Sequence, residues 1–216
     1  MAATAPFATY IAHELRTPLA TQRALLELGL SDPGTDAAGW RGIAQDVLDA
    51  CTQQEQLLEA CLALGRAEAG LGPCETVDLA SLTARLLRTK DLKGLIADLR
   101  LERALATGVP SLIERLLDNL LANAIRHNRA GGWIAVTVRQ TETHALLTVE
   151  NSGRQIPPAE LRRLFEPFER LGSSAGGLGL GLAIVKTIAD AHHAFVAARP
   201  LSGGGLGVDV GFAPAA

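Results

Sequence analysis

His13 is followed directly by a carboxylate, in the string His13-Glu14-Leu15-Arg16-Thr17-Pro18-Leu19. An imidazole beside a carboxylate is suited to nucleophilic work. The carboxylate accepts the Nδ1 proton, which leaves the Nε2 lone pair pointing outward. A second polar group lies far along the chain. Asn119, Asn123, Arg126 and His127 fall at i, i+4, i+7 and i+8, which is one face of a helix. Neutral amide oxygens suit Mg²⁺, an ion that takes few protein ligands and shares phosphate oxygens. Arg126 is then placed for a phosphate and His127 for a base or ribose. A third group, Gly177-Leu178-Gly179-Leu180-Gly181, opens straight into an apolar run. Glycines there let backbone N–H groups approach phosphates, and a helix N-terminus adds partial positive charge. Each group alone has a plainer explanation: a solvated histidine, a polar helix face, a flexible turn.

The elements that must position these residues can be read from periodicity. Phe7, Ile11, Leu15, Pro18, Gln22 and Leu25 mark one mostly apolar face of a helix over about 5–30, ending near Gly29. His13 lies two residues from Ile11, about 200° around the wheel, and so faces solvent with Glu14 and Thr17 beside it. Pro18 bends the helix just past the histidine. Ser31 to Gly34 is a turn. A second helix runs from near Asp36 to about Ala69, with Val47, Cys51, Leu58, Cys61, Leu62 and Gly65 as its apolar stripe and Gln53 to Gln56 as a solvated patch. Two helices of this length cannot bury so broad an apolar face between them. Pairing two hairpins into a four-helix bundle does, which predicts a homodimer.

Gly70 to Thr76 is a composition break, and residues 71–76 read as a linker between a unit over 1–70 and a unit over 77–216. Beyond it, Asp78 caps a helix running to about Arg88, with Leu79, Leu82, Leu86 and Leu87 inward. The spacing then predicts a strand over 94–101, a helix over 110–129, a hairpin of 133–140 with 144–150, short and long helices over 158–165 and 178–192, and a closing hairpin of 193–199 with 206–212 across Ser202 to Gly205. Helices on an antiparallel-leaning sheet make a two-layer α/β sandwich.

Composition narrows the function classes. Of 216 residues, 48% are hydrophobic and 20% charged, so the chain can bury a core. A net charge of −3 and 4% aromatics argue against nucleic acid as partner. Cys51, Cys61 and Cys74 have neither CxxC spacing nor histidine partners, so no disulfide framework or zinc site is expected. No apolar run is long enough to span a membrane and no signal peptide opens the chain, which predicts a cytoplasmic location.

The string around His13 resembles the phospho-acceptor box of sensor histidine kinases. Asn119-Leu-Leu-Ala-Asn123-Ala-Ile-Arg-His-Asn128 resembles the N box of their catalytic domain and its GHKL ATPase relatives. Leu164-Phe165-Glu166-Pro167-Phe168, followed by the glycine string, resembles the F and G2 boxes, with a short polar stretch over 169–176 as a lid. Glu150 to Pro157 stands at the G1 box, where the family pattern Asp-x-Gly-x-Gly-Ile is met only in part: Asn151 replaces the aspartate, Gly153 is kept, and Gln155 replaces the second glycine. The resemblance spans about residues 7–212. It implies an α-helical hairpin, a four-helix bundle as dimer, followed by a GHKL-type ATPase sandwich. It implies ATP and Mg²⁺ as cofactors, with Asn123 the principal Mg²⁺ ligand and Asn119 near the phosphates. Asn151 is implied to accept from the adenine amino group, with less charge than an aspartate brings. It implies His13 as phospho-acceptor, Glu14 as its orienting base and a response-regulator receiver domain as partner. Arg16 would steady phosphoryl oxygens. Thr17 is either an ordinary exposed threonine or, as in the family, the residue that orients a water to dephosphorylate the regulator. With no sensor or membrane segment here, the chain is either the soluble piece of a longer, membrane-anchored sensor or a short kinase.

Two other readings stand beside this one. A phosphotransfer scaffold with an impaired nucleotide site would draw its support from Asn151 and Gln155. A GHKL ATPase that moves rather than phosphorylates is opposed by the string His13 to Pro18.

Overall fold

The computed structural model describes residues 19–32, 34, 36–48, 50, 51, 54, 73–166, 179 and 181–215. The chain divides into two compact units, Met1–Leu62 and Ala63–Ala216.

In the first unit, residues 19–31 (α1) and 37–48 (α2) are helical, as are 50, 51 and 54. Asp36 starts α2 by accepting the Gly39 N–H at 2.8 Å, which satisfies one of the unpaired donors of the first turn. The Ser31 hydroxyl closes α1 on the Leu28 carbonyl at 2.9 Å. The helices are antiparallel. Gly29 faces Trp40 and Ile43, close enough that an added Cβ would come within 2.7 Å of Ile43 Cδ1. Nearer the other end, the buried Gln22 donates through Nε2 to Cys51 Sγ at 3.3 Å and to Gln54 Oε1 at 3.1 Å. Gly29, close to the end of α1, is a contact position. One expectation changes: Gln54 belongs to the helix–helix seam rather than to a solvated patch.

The first described element of the second unit is β1 (Glu75–Asp78), so Glu75 and Thr76, at the end of the composition break, lie in a strand. β1 pairs antiparallel with β3 (Leu105–Gly108) as a separate two-stranded sheet. Asp78 is also the cap of α3 (Leu79–Thr89), accepting from the Ala80 and Ser81 amides, and Leu79, Leu82, Leu86 and Leu87 are buried. The main sheet has the order β2-β4-β5-β7-β6. Its strands are β2 (Ile96–Leu101), β4 (Trp133–Gln140), β5 (Ala145–Asn151), β6 (Phe195–Pro200) and β7 (Leu206–Phe212), and only β2 and β4 run parallel.

Alternation settles the two faces of the sheet. Ile134, Val136 and Val138 on β4, Ala145, Leu147 and Val149 on β5, and Val208, Val210 and Phe212 on β7 are buried. The opposite face carries Thr148, Glu150, Asp209 and Arg199, with Arg199 paired to both carboxylates. Between β3 and β4 lies α4 (Pro110–Arg126), with proline at its first turn, where no N–H is needed. Its Leu112, Ile113, Leu116, Leu117, Leu120 and Leu121 are buried, each fully buried aliphatic contributing about 1.5–3 kcal/mol. α5 (Gly181–Ala191) packs along α4. The short helix expected over 158–165 is two 3-10 turns, Pro158–Glu160 and Arg162–Phe165, since Pro157 and Pro158 deny the first turn its donors.

Candidate functional site

α4 carries Asn119 and Asn123 on a half-buried flank, away from its leucines. Asn119 Nδ2 donates to the Arg115 carbonyl at 2.9 Å, so its nitrogen is held by its own helix and Oδ1 is the free atom. A Cβ added to Gly181, the first residue of α5, would lie 3.6 Å from that oxygen. The N-terminus of α5 therefore opens beside Asn119. Among the described residues, the Asn123 amide has no hydrogen-bond partner. An amide in a helix interior that satisfies neither the backbone nor a neighbour is poor for stability and well placed for a ligand.

Eight residues separate Asn119 from His127, a rise of about 12 Å along the helix. At that far end His127 caps α4. The His127 carbonyl sits against Gly153, where a Cβ would come within 2.6 Å of it. Gly153 is thus required by close approach and not by a positive φ. Asn151, at the end of β5, is buried, and its Nδ2 donates to the Ser152 carbonyl at 2.8 Å. The turn between β6 and β7 closes over the same backbone: Gly205 has a φ of +111°, and any side chain there would overlap the Asn151 carbonyl. Gln155 is exposed and its φ lies outside the left-handed region, so replacing glycine by glutamine at that position introduces no backbone strain.

Arg126 is exposed in the last turn of α4 and has no ion pair among the described residues. Gly179 has a φ of +67°, a conformation that suits glycine. Gly177, Leu178 and Leu180 lie outside the described residues, as do His13, Glu14, Arg16 and Thr17. The structure brings Asn119 to Gly181 and His127 to Gly153, with Asn123 between the two ends.

Three residues that the sequence did not single out hold the far end together. The Ser152 hydroxyl, buried, donates to Asn128 Oδ1 at 2.6 Å and accepts the Trp133 N–H at 2.8 Å. Asn128 Nδ2 in turn donates to the Ala124 and Trp133 carbonyls. Gly132 fits over this pair only because it lacks a Cβ, which would collide with Asn128 Oδ1 and the Ser152 hydroxyl. Asn128 closed the N-box string and fell inside the helix expected over 110–129, whereas α4 ends at Arg126 and the partner of Asn128 is 24 residues away.

Among the described residues, no group of three or more His, Cys, Asp or Glu is placed to hold a metal ion. A divalent cation at this site would rest on the amide oxygens of Asn119 and Asn123 and on oxygens of its own ligand. That donor set fits Mg²⁺ held through phosphates and does not resemble a structural metal cage.

Two family models match the chain. Residues 5–70 match the His Kinase A (phospho-acceptor) domain, and residues 108–214 match the histidine kinase-, DNA gyrase B- and HSP90-like ATPase. The sensor protein CutS of Streptomyces coelicolor is 38% identical over 203 residues, covering 90% of this chain and 49% of its own. The chain thus spans about half the length of that relative. Among solved structures, the Acinetobacter baumannii histidine kinase AdeS aligns with a TM-score of 0.73 at 23% identity, over 94% of this chain and 98% of its own. The mycobacterial sensor histidine kinase MprB aligns with a TM-score of 0.60 at 28% identity, over 66% of this chain and 98% of its own.

Proposed function

Because the chain belongs to the sensor histidine kinases, we propose that it uses ATP to phosphorylate His13 and passes that phosphoryl group to an aspartate on a response-regulator receiver domain. The observation that carries this proposal is the placement of Asn119 beside the start of α5, with the His127 carbonyl against Gly153 some way along the same helix. That separation suits a nucleoside triphosphate, with its phosphates at the glycine end and its base at the Asn151 end.

In this proposal Asn123, with Asn119 as a second oxygen, holds Mg²⁺, which supplies charge neutralisation on the phosphates. The backbone over 177–181 and the start of α5 donate to phosphate oxygens. Arg126 contributes a positive charge and His127 borders the base. Asn151 accepts from the adenine amino group through Oδ1. Residues 1–70 form the dimerisation and phosphotransfer unit, the segment preceding β1 acts as hinge, and residues 77–216 bind ATP. The His13 Nε2 lone pair attacks the γ-phosphorus. A P–N bond forms as the bond to the β–γ bridging oxygen breaks, and ADP leaves. Glu14 holds the Nδ1 proton and Arg16 steadies the transferred oxygens. Thr17, one turn on, orients water for dephosphorylation of the regulator.

The dimer is proposed from leucines left uncovered on the hairpin, among them Leu19, Leu26 and Leu30. The location proposed is the cytoplasm. No helix among the described residues is long and apolar enough to cross a membrane. The scaffold alternative is not favoured, since its support at Gln155 is removed by the unstrained backbone there.

The test is incorporation of label from γ-labelled ATP. Wild-type protein should acquire an acid-labile, base-stable phosphoprotein signal, and His13→Gln should acquire none. Retention of the label in His13→Gln would reject His13 as acceptor.

A further inference from the structure

His192, just past the end of α5, is 7% exposed, and both of its ring nitrogens are engaged. The Val109 N–H donates to Nε2 at 3.0 Å, and Nδ1 lies 2.7 Å from the Ile188 carbonyl oxygen. A backbone N–H only donates and a carbonyl only accepts. The ring is therefore neutral, with its proton on Nδ1 and its lone pair on Nε2. Val109 is the residue before α4 and has no side-chain cap. Gly108 makes room for the ring: a Cβ there would come within 2.5 Å of His192 Cδ2. Phe212 stands edge-on at 6.0 Å.

The two ends of α5 thus lie against two points near the start and middle of α4. Its first residue lies beside Asn119, and its last turn is fastened through His192 to Val109. Ten residues of α4 separate those points, about 15 Å, and eleven residues of α5 span about 16 Å. The helices lie antiparallel and in register. Sliding α5 along α4 would break the His192 bond and move Gly181 away from Asn119 together.

We propose that His192 is a positioning residue for nucleotide binding: its bond to the Val109 N–H sets the register of α5 on α4, and so the placement of the glycine-rich helix start against Asn119. The inference rests on the ATP-binding role proposed above. It assigns His192 no contact with the nucleotide. If the bond is lost, the half-buried Val109 N–H is left without its acceptor and the register is held by apolar packing alone.

Two amides separate the bond from the bulk of the ring. In His192→Gln, the terminal amide reaches the position of Nε2 and can present an oxygen to Val109. In His192→Asn, the shorter amide reaches only the position of Nδ1 and can donate to Ile188 alone. Full-length wild type and both variants are titrated with a fluorescent ATP analogue and Mg²⁺, and the melting temperature of each is recorded. The expected result is a roughly tenfold weaker affinity in His192→Asn, about the size of one net hydrogen bond, and an affinity within about twofold of wild type in His192→Gln. In autophosphorylation, KM for ATP should rise in His192→Asn more than kcat falls. Folded His192→Asn with wild-type affinity overturns the proposal, as does equal loss in both folded variants, which would assign the effect to packing. Should a variant fail to fold, ¹⁵N-histidine spectra of the wild type decide: a ring protonated on Nδ1, perturbed on addition of Mg²⁺ and nucleotide, supports the link, and an Nε2-protonated or unresponsive ring overturns it. A wild type that binds no nucleotide rejects the ATP-binding role itself, which the titration distinguishes from a failure confined to His192.

Discussion

The Asn151 amide nitrogen donates to the carbonyl oxygen of its neighbour Ser152 at 2.8 Å. The carbonyl can only accept, so the amide cannot turn over without setting two oxygens against each other. Oδ1 is left as the acceptor, which is the role an aspartate has at this position in the family. Asn151→Asp should therefore separate two effects. The outer oxygen gains charge, and affinity for ATP should rise about five- to tenfold, since charge-assisted bonds are roughly twice as strong as neutral ones. The inner oxygen faces Ser152 with no proton between them in a buried place, and stability without nucleotide should fall by about 1–3 kcal/mol. Isothermal titration and chemical denaturation measure the two. An unchanged or weaker affinity would show that Asn151 does not meet the adenine amino group.

Gly205 is where backbone geometry and the candidate base pocket meet. Its φ of +111° is sparsely accessible to side-chain-bearing residues, and a Cβ would overlap the Asn151 carbonyl. Gly205→Ala should lower stability by about 3 kcal/mol or more, combining strain with a displaced strand end. Gly203, with nothing within 4 Å of an added Cβ, is the control in the same turn, and its alanine variant should melt close to wild type. Thermal melts of the pair check this.

α4, with its leucine face and opposite asparagines, was legible because a long helix writes its period into the sequence. The β4–β5 and β6–β7 hairpins were legible from alternation and turn residues. β1 and β3 were not. Each has four residues, neither alternates cleanly, and what makes them strands is pairing across some thirty residues of intervening chain. The glycines at 204 and 205 were read only as the turn of the closing hairpin, whereas Gly205 is also fixed by its approach to Asn151. The Asn128–Ser152 bond and the His192–Val109 bond were invisible for the same reason: each joins residues far apart in sequence, and nothing local to either partner points to the other.

Leu19, Leu26 and Leu30 recur at seven and four residues, so they form one stripe on α1 at about 100° per residue. Gln22 and Gly29, which face α2, lie roughly a quarter-turn from that stripe. The three leucines are 60%, 41% and 77% exposed in the single chain, a row beside the hairpin seam that a second hairpin would cover. Leu26→Glu combined with Leu30→Glu should shift the protein from dimer to monomer in light scattering, with little change in the monomer's ATP affinity. A protein that is monomeric before substitution would leave the stripe without its proposed partner.

Asn123 offers the sharpest division between folding and function. Its amide has no partner among the described residues, it is half-buried on the flank of α4, and asparagine is a weaker helix former than alanine by about half a kcal/mol. Asn123→Ala should therefore melt at or slightly above the wild-type temperature. Its loss should appear only with ligand: Mg²⁺-dependent tightening of ATP binding should disappear, while the weaker binding seen in chelator should persist, because the base end and the helix start are untouched. Asn119→Ala should behave differently, since its nitrogen is tied to the Arg115 carbonyl and its oxygen borders Gly181. It should weaken binding even in chelator, and with Mg²⁺ it should also reduce, without abolishing, the Mg²⁺-dependent tightening. If Asn123→Ala lowered stability and kept full Mg²⁺ dependence, the amide would be a structural residue and the cation would have to be held elsewhere.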